Sequence, residues 1–337
     1  MNRRTFTSLA LTAPLAAIVL GDAQATADPL PSWNAGTAKT AILNFVRAAT
    51  DASGADFVRP EDRIATFDQD GTLWVEHPVY SQVDFALDRV VQLAPQHPEW
   101  RTTEPFKSVL DGDKAAMATF SLKDFEAIAG ATQVGMTTDA FTPIVAAWLA
   151  KATDPRWHRP YTDLVYQPML EVMQYLRANG FRTYIVTGGG QAFVRVYAQR
   201  VYGVPPDHVI GSALKTKYAY GEHGRAVLIR EPALLLNNNM SGKAEDIYLF
   251  LGARPHAAFG NSTGDQQMLE FTQGNTTSRL MMLVLHDDAV REYAYGPARG
   301  LPETKIGTFT QALYDEAMTK GWNVISMKHD WNRIFSF

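Results

Sequence analysis

Ile64-Ala65-Thr66-Phe67-Asp68-Gln69-Asp70-Gly71-Thr72-Leu73-Trp74 is the stretch on which the fold of this chain turns. A short β-prone run, Ile64 to Phe67, stops at two carboxylates two residues apart, followed by Gly-Thr and more apolar residues. A continuous apolar run of this length predicts a strand buried on both faces, as in a parallel sheet. In open α/β sheets ligands bind just beyond the carboxyl ends of such strands, which is where Asp68 and Asp70 fall.

On the C-terminal side the pattern changes. From 77 to 160, Val83, Leu87, Val90 and Val91 recur at helical spacing, Pro95-Gln96-His97-Pro98 interrupts them, and further helical stretches follow near 104–118, 122–130 and 139–152. No strand of any length is expected there. The block is nearly neutral and rich in aromatic residues, and it predicts an all-helical module inserted into a core made of residues 28–76 and 161–337.

After 160, strands and helices alternate. A helix over 166–179 stops at Gly180, and a strand over 181–186 runs into Thr187-Gly188-Gly189-Gly190 and a helix over 191–202. Paired strands follow at 208–214 and 226–229, then a helix opened by Lys243, with Asn237 to Asn239 and Ser241 as capping material. A strand over 257–259 enters Gly260-Asn261-Ser262-Thr263-Gly264-Asp265; a strand over 280–285 and a helix over 308–320 complete the series. Such alternation implies a Rossmann-like, doubly wound parallel sheet.

Upstream, Thr37 to Ala52 carries Ile42, Leu43, Val46 and Ala49 at helical spacing, whereas 28–34, rich in proline and polar residues, reads as a disordered leader. Residues 1–27 hold paired arginines (Arg3, Arg4), an apolar run from Leu9 to Leu20, and Ala23-Gln24-Ala25-Thr26-Ala27. This is the pattern of an export signal peptide cleaved after Ala27, and it resembles a bacterial twin-arginine signal leading to the periplasm. The apolar run is short of the ~20 residues a membrane span needs, so no stable membrane anchor is expected.

With 337 residues, about two domains are expected at roughly 150 each. A hydrophobic content of 46% with 20% charged residues is that of an ordinary globular protein, and a net charge of −4 gives no basic footprint for nucleic acid. The absence of cysteine excludes disulfides, thiolate metal sites and a cysteine nucleophile.

Four pieces fall at strand ends or helix starts: Asp68-x-Asp70-Gly-Thr, Thr187-Gly188, Lys243, and Gly260-Asn261-Ser-Thr-Gly-Asp265. Any one of them is weak, since an isolated Asp-x-Asp-Gly-Thr is also what a surface turn looks like. Together, and in this order, they resemble the motifs of the haloacid dehalogenase (HAD) superfamily. The helical insert after the first motif resembles the C1 cap of phosphoserine phosphatase-like members.

The resemblance implies a phosphate monoester hydrolase working through an aspartyl-phosphate, with Asp68 as nucleophile and Asp70 as general acid and base. Thr187, Gly188 and Lys243 would bind phosphate, and Glu76 would touch substrate from near the first motif. Asp68, Asp70, Asp265 and a phosphate dianion put about five negative charges against one from Lys243, which calls for a divalent cation. Oxygen ligands point to Mg²⁺, held by Asp68, Asp70, Asn261 and Asp265. Asn261 departs from the resemblance, which expects an aspartate there, so Asn261→Asp is expected to tighten the metal. The partner is a small phosphate ester of unspecified alcohol. Two other functions fit the same residues: a phosphotransferase with the same intermediate, and a non-catalytic binding protein on the same fold.

Overall fold

The computed structural model describes residues 27–337, so the expected export signal lies outside the described residues but for Ala27. Seven strands make one sheet: β1 (Ile64–Phe67), β2 (Arg182–Gly190), β3 (Val209–Tyr220), β4 (Ala226–Leu236), β5 (Ala257–Gly260), β6 (Leu280–Leu285) and β7 (Asn323–Ser326). Their order is β4-β3-β2-β1-β5-β6-β7. Neighbours run parallel except β3 and β4, which form an antiparallel hairpin at the sheet's edge. Strand β1 sits in the middle with Phe67 level with Ile185 on one side and Phe259 on the other. The chain adds strands first to one side of β1 and then to the other. That reversal opens a crevice at the carboxyl end of β1, where such sheets bind ligands.

The period of two along each strand divides the core into two layers. Phe67, Ile185, Phe259 and Met282 pack on one face with the helices Thr37–Thr50 and Gln167–Ala178. Ile64, Val186, Ala258 and Leu283 pack on the other with Ile247, Met268, Leu269 and Leu313, from the helices Ser241–Leu251, Gln266–Gln273 and Gln311–Lys320. Residues 77–160 hold the helices Ser81–Leu93, Phe106–Asp111, Lys114–Met117, Leu122–Gln133 and Thr138–Leu149. A third apolar cluster, including Val90, Trp100, Phe106 and Ile128, lies among them. This stretch is tied to the edge hairpin: Arg230 N donates to the Met136 carbonyl and Gly135 N to the Arg230 carbonyl, both at 3.0 Å.

Four local expectations need correction. Residues 28–34 are ordered: Leu30 and Trp33 are buried, the Trp33 indole donates to the Pro168 carbonyl at 3.0 Å, and Ser32 binds the Glu171 carboxylate through its amide and hydroxyl. Two apolar side chains outweigh the polar composition that suggested disorder. The helix expected over 191–202 is two pieces, Gln191–Val194 and Ala198–Tyr202, because Tyr197 leaves helical geometry and stacks on Trp74. The helix holding Lys243 begins after Met240 with no side-chain cap, so the asparagines do not cap it. Strand β7 has only Val324 and Ile325 as apolar signal and is not legible in the sequence.

Candidate active site

Asp68 leaves the end of β1 with its amide donating to the Phe259 carbonyl at 2.8 Å, which continues the ladder with β5 by one step. The next residues turn tightly. Leu73 N reaches back to the Gln69 carbonyl (2.8 Å) and Gly71 N to the Trp74 carbonyl (2.9 Å), with Gly71 at φ +72°. Gln69 points into the core against the Tyr197 and Tyr202 hydroxyls. Asp70 emerges at the crevice, where the buried Trp74 indole donates to its Oδ1 at 2.7 Å. Trp74 therefore fixes the carboxyl and leaves Oδ2 free; a Cβ built on Gly189 would stand 3.9 Å from that oxygen.

Lys243 arrives from the start of its helix and is almost wholly buried. Its Nζ donates to Asp68 Oδ1 and to Asp265 Oδ1, both at 2.5 Å. Charge-assisted bonds of this length are strong, and here one ammonium joins the first and last motifs. The start of that helix is held by the Met240 amide donating to the Gly264 carbonyl at 3.1 Å, with Met240 at a positive φ of 53°.

Asp265 is buried. Its Oδ2 accepts from the amides of Asn261 (2.9 Å) and Ser262 (3.0 Å) and from the Ser262 hydroxyl, so it shapes the loop after β5. With Oδ1 on Lys243, both oxygens are committed within the protein. Asp265, expected from the sequence as a cation ligand, thus also organises the loop and pairs with Lys243. Asn261 is buried beside the first motif, its Oδ1 accepting from the Thr72 hydroxyl at 3.3 Å.

Thr187 lies at the end of the core part of β2, two residues past the partner of Phe67. Its Oγ1 accepts from Gly189 N at 3.0 Å, while Gly190 N donates to Gln82 Oε1 at 2.7 Å, a residue of the helical stretch. Gly188 is exposed. The glycines therefore continue a strand and do not form the N-terminal turn of a long helix. Glu76 is buried, and its hydrogen bonds go to Asn261 Nδ2 and the Tyr295 hydroxyl, both at 2.7 Å.

The electrostatics follow from burial. Burial, with Asp265 adding repulsion, pushes Asp68 up to about 7 against the opposing pull of Lys243. Burial likewise raises Asp70 to about 6, which the Trp74 hydrogen bond restrains. Glu76 is raised well above the usual range, first by burial. Lys243 loses some basicity to burial, but Asp265 and Asp68 outweigh this and leave it more basic than a free lysine.

Three carboxylates in one crevice with a single ammonium favour a cation. Among the described residues no group of three His, Cys, Asp or Glu side chains forms a ready metal site. The donors on offer are the Asp68 carboxylate, the Asp70 loop and the Asn261 carbonyl. They are all oxygen, the set a hard divalent ion takes, so the residues fit Mg²⁺.

Sequence reasoning missed the support behind this crevice. His286 is buried with Nε2 2.7 Å from the Gly71 carbonyl and Nδ1 3.1 Å from Glu292. Tyr295 stacks on it with ring centroids 4.3 Å apart. Neither residue has a sequence signal, since both come from a loop after β6. Gln82 was missed for a similar reason, lying in a helix start with no motif around it.

A mostly parallel sheet with an acidic strand end, a bridging lysine and an Asp-ended loop after β5 places the chain among doubly wound α/β proteins with a carboxylate site at the strand ends. A family model described as haloacid dehalogenase-like hydrolase matches residues 65–270, more than half of the chain, and the chain belongs to that family. Among solved structures, a conserved protein of unknown function from Anaerococcus prevotii DSM 20548 is similar in fold at 12% identity. The match covers 74% of this chain and 86% of that one, with a TM-score of 0.51. A protein of unknown function from Bordetella pertussis Tohama I matches at 17% identity, covering 78% of this chain and 97% of that one (TM-score 0.46). A phosphoserine phosphohydrolase-like protein from Francisella tularensis subsp. tularensis SCHU S4 matches at 15% identity, covering 66% and 88% (TM-score 0.37). Curated protein sequences give no match. Among the described residues no helix is long and apolar enough to cross a membrane.

Proposed function

We propose that this hydrolase cleaves phosphate monoesters, with Asp68 attacking phosphorus to form an aspartyl-phosphate that water then hydrolyses. The observation that carries the reading is the Asp68–Lys243–Asp265 bridge beside Asp70, whose free Oδ2 faces the glycine loop. Asp68 Oδ2 supplies the electron pair, the P–O(ester) bond breaks, and Asp70 gives its proton to the leaving alcohol oxygen. Asp70 then takes a proton from the attacking water, whose oxygen bonds to phosphorus as the Asp68–phosphate bond breaks. Asp70 near pH 6 and fixed by Trp74 suits both tasks. Lys243 keeps Asp68 ionised and offsets charge on the phosphoryl oxygens. The Thr187 hydroxyl already accepts from Gly189 and has its own hydrogen left to give to a phosphate oxygen. Mg²⁺, held by Asp68, the Asp70 loop and Asn261, would supply charge neutralisation for the phosphate.

Residues 77–160 serve in this reading as a cap on the crevice; the bond from Gly190 N to Gln82 supports it. The test is a panel of phosphate monoesters assayed with Mg²⁺ and with EDTA. Turnover of at least one ester, lost in EDTA and lost without phosphoenzyme in Asp68→Asn, is expected. Asp70→Asn should slow turnover about 10²–10⁴-fold, with the first step partly rescued by a good leaving group. Equal losses for all leaving groups in both variants would remove the assigned roles.

A further inference from the structure

Asn261 brings no charge to the crevice, and its amide presents an acceptor at one end and a donor at the other. Which end faces where is decided by Glu76. Asn261 Nδ2 donates to Glu76 Oε1 at 2.7 Å. Oε1 accepts here and from the Tyr295 hydroxyl, so this contact admits the NH₂ end and turns Oδ1 to the other side, toward Thr72 and the first motif.

Glu76 is itself held in one position. The Tyr295 hydroxyl donates to the same Oε1 at 2.7 Å, and Tyr295 stacks on His286, which touches the Gly71 carbonyl. Gly71 and Gly307 pass so close that a Cβ on either would collide with Oε1. Both glycines also have positive φ, so side chains are disfavoured there twice over. The carboxylate is 2% exposed, and none of the described residues donates a hydrogen bond to its Oε2. A buried carboxylate with a free oxygen, cradled by two glycines beside a neutral amide, has no evident structural task.

We propose that Glu76 is a positioning residue of the cation site: it orients Asn261 with Oδ1 toward the ion and, with the ion bound, supplies the negative charge that Asn261 lacks. This rests on the metal-dependent reading above. The site then keeps the charge of a two-carboxylate arrangement, with one carboxylate moved from position 261 to position 76. Substrate contact by Glu76, as the sequence suggests, is replaced by contact with Asn261.

Calorimetric titration of Mg²⁺ into metal-stripped protein tests this without reference to turnover. Glu76→Gln is nearly isosteric and still accepts from Tyr295 and Asn261, and it should bind Mg²⁺ about 10–100-fold more weakly. Glu76→Gln combined with Asn261→Asp returns the carboxylate to position 261 and should recover most of that loss. Asn261→Asp alone sets two carboxylates against each other and should not tighten binding. Wild-type affinity in Glu76→Gln, or a double variant as weak as the single one, overturns the proposal. Should Glu76→Gln not fold, Glu76→Asp takes its place: it keeps the charge but cannot span to Asn261. It should bind at least about tenfold more weakly, and unchanged affinity overturns the proposal. If the wild type takes up no Mg²⁺, the metal-dependent reading fails first and carries this inference with it.

Discussion

Lys243 is the residue on which the charge balance of the crevice depends. Two buried carboxylates share it, and removing one partner of a buried ion pair leaves the others uncompensated, at about 3–5 kcal/mol. Lys243→Met should lower stability by that order in urea melts at pH 8 in EDTA. Asp68 sits at about 7 in the folded protein against 3.8 for a free aspartate. Between those values the folded chain holds a proton the unfolded chain has lost, so this group makes stability fall as pH rises through the window. At pH 5.5 Asp68 is protonated and has less need of the lysine, so the deficit of Lys243→Met should shrink. A deficit equal at both pH values would show that packing, not charge, is what Lys243 supplies. At this scale the sequence was informative where a residue type has one job: Asp68, Asp70 and Lys243 are where their motifs put them. It was uninformative for His286 and Tyr295, whose partners Gly71 and Glu76 lie far away in sequence. It did not reveal that Asp265 also shapes its own loop, because the two backbone amides that reach its Oδ2 belong to no motif.

Among the elements, the start of the Ser241–Leu251 helix positions the lysine, and it is a tight place. A Cβ on Gly242 would collide with the Asn237 carbonyl oxygen, a backbone atom that cannot swing aside. Gly242→Ala should therefore cost about 1–3 kcal/mol through overpacking and move Lys243 off Asp68. Thermal melting and turnover of the best ester of the panel check this; a variant unchanged in both would mean that the helix start is not held as described. Element types were legible where an apolar run or the period of 3.6 was undisturbed, as in β1, β6 and the helix Gln167–Ala178. They were not where tertiary contact overrides local preference. Tyr197 breaks its helix to lie on Trp74, and the hairpin β3–β4 runs on to Leu236 alongside residues 135–137.

For the molecule as a whole, the stretch read as a loose leader is a fastening. Trp33 packs edge-on against Trp331 with ring centroids 5.9 Å apart, Asn34 N donates to the Asp330 carbonyl at 2.8 Å, and Asn332 N donates to the Ser32 carbonyl at 3.0 Å. Trp33→Ala empties a buried aromatic site and should cost about 3–5 kcal/mol, seen as a fall in Tm; an unaltered Tm would mean the segment adds nothing to the body. Proline and serine around the tryptophan hid this, because composition weighs every residue equally while burial does not. The fastening also sets a clock on the ribosome. Trp33 is among the earliest of the described residues to be made and Trp331 among the last. At about 5–20 residues per second the first tryptophan waits some tens of seconds for its partner. Until then its pocket is half built, and the nascent chain carries an apolar surface that whatever attends synthesis must cover.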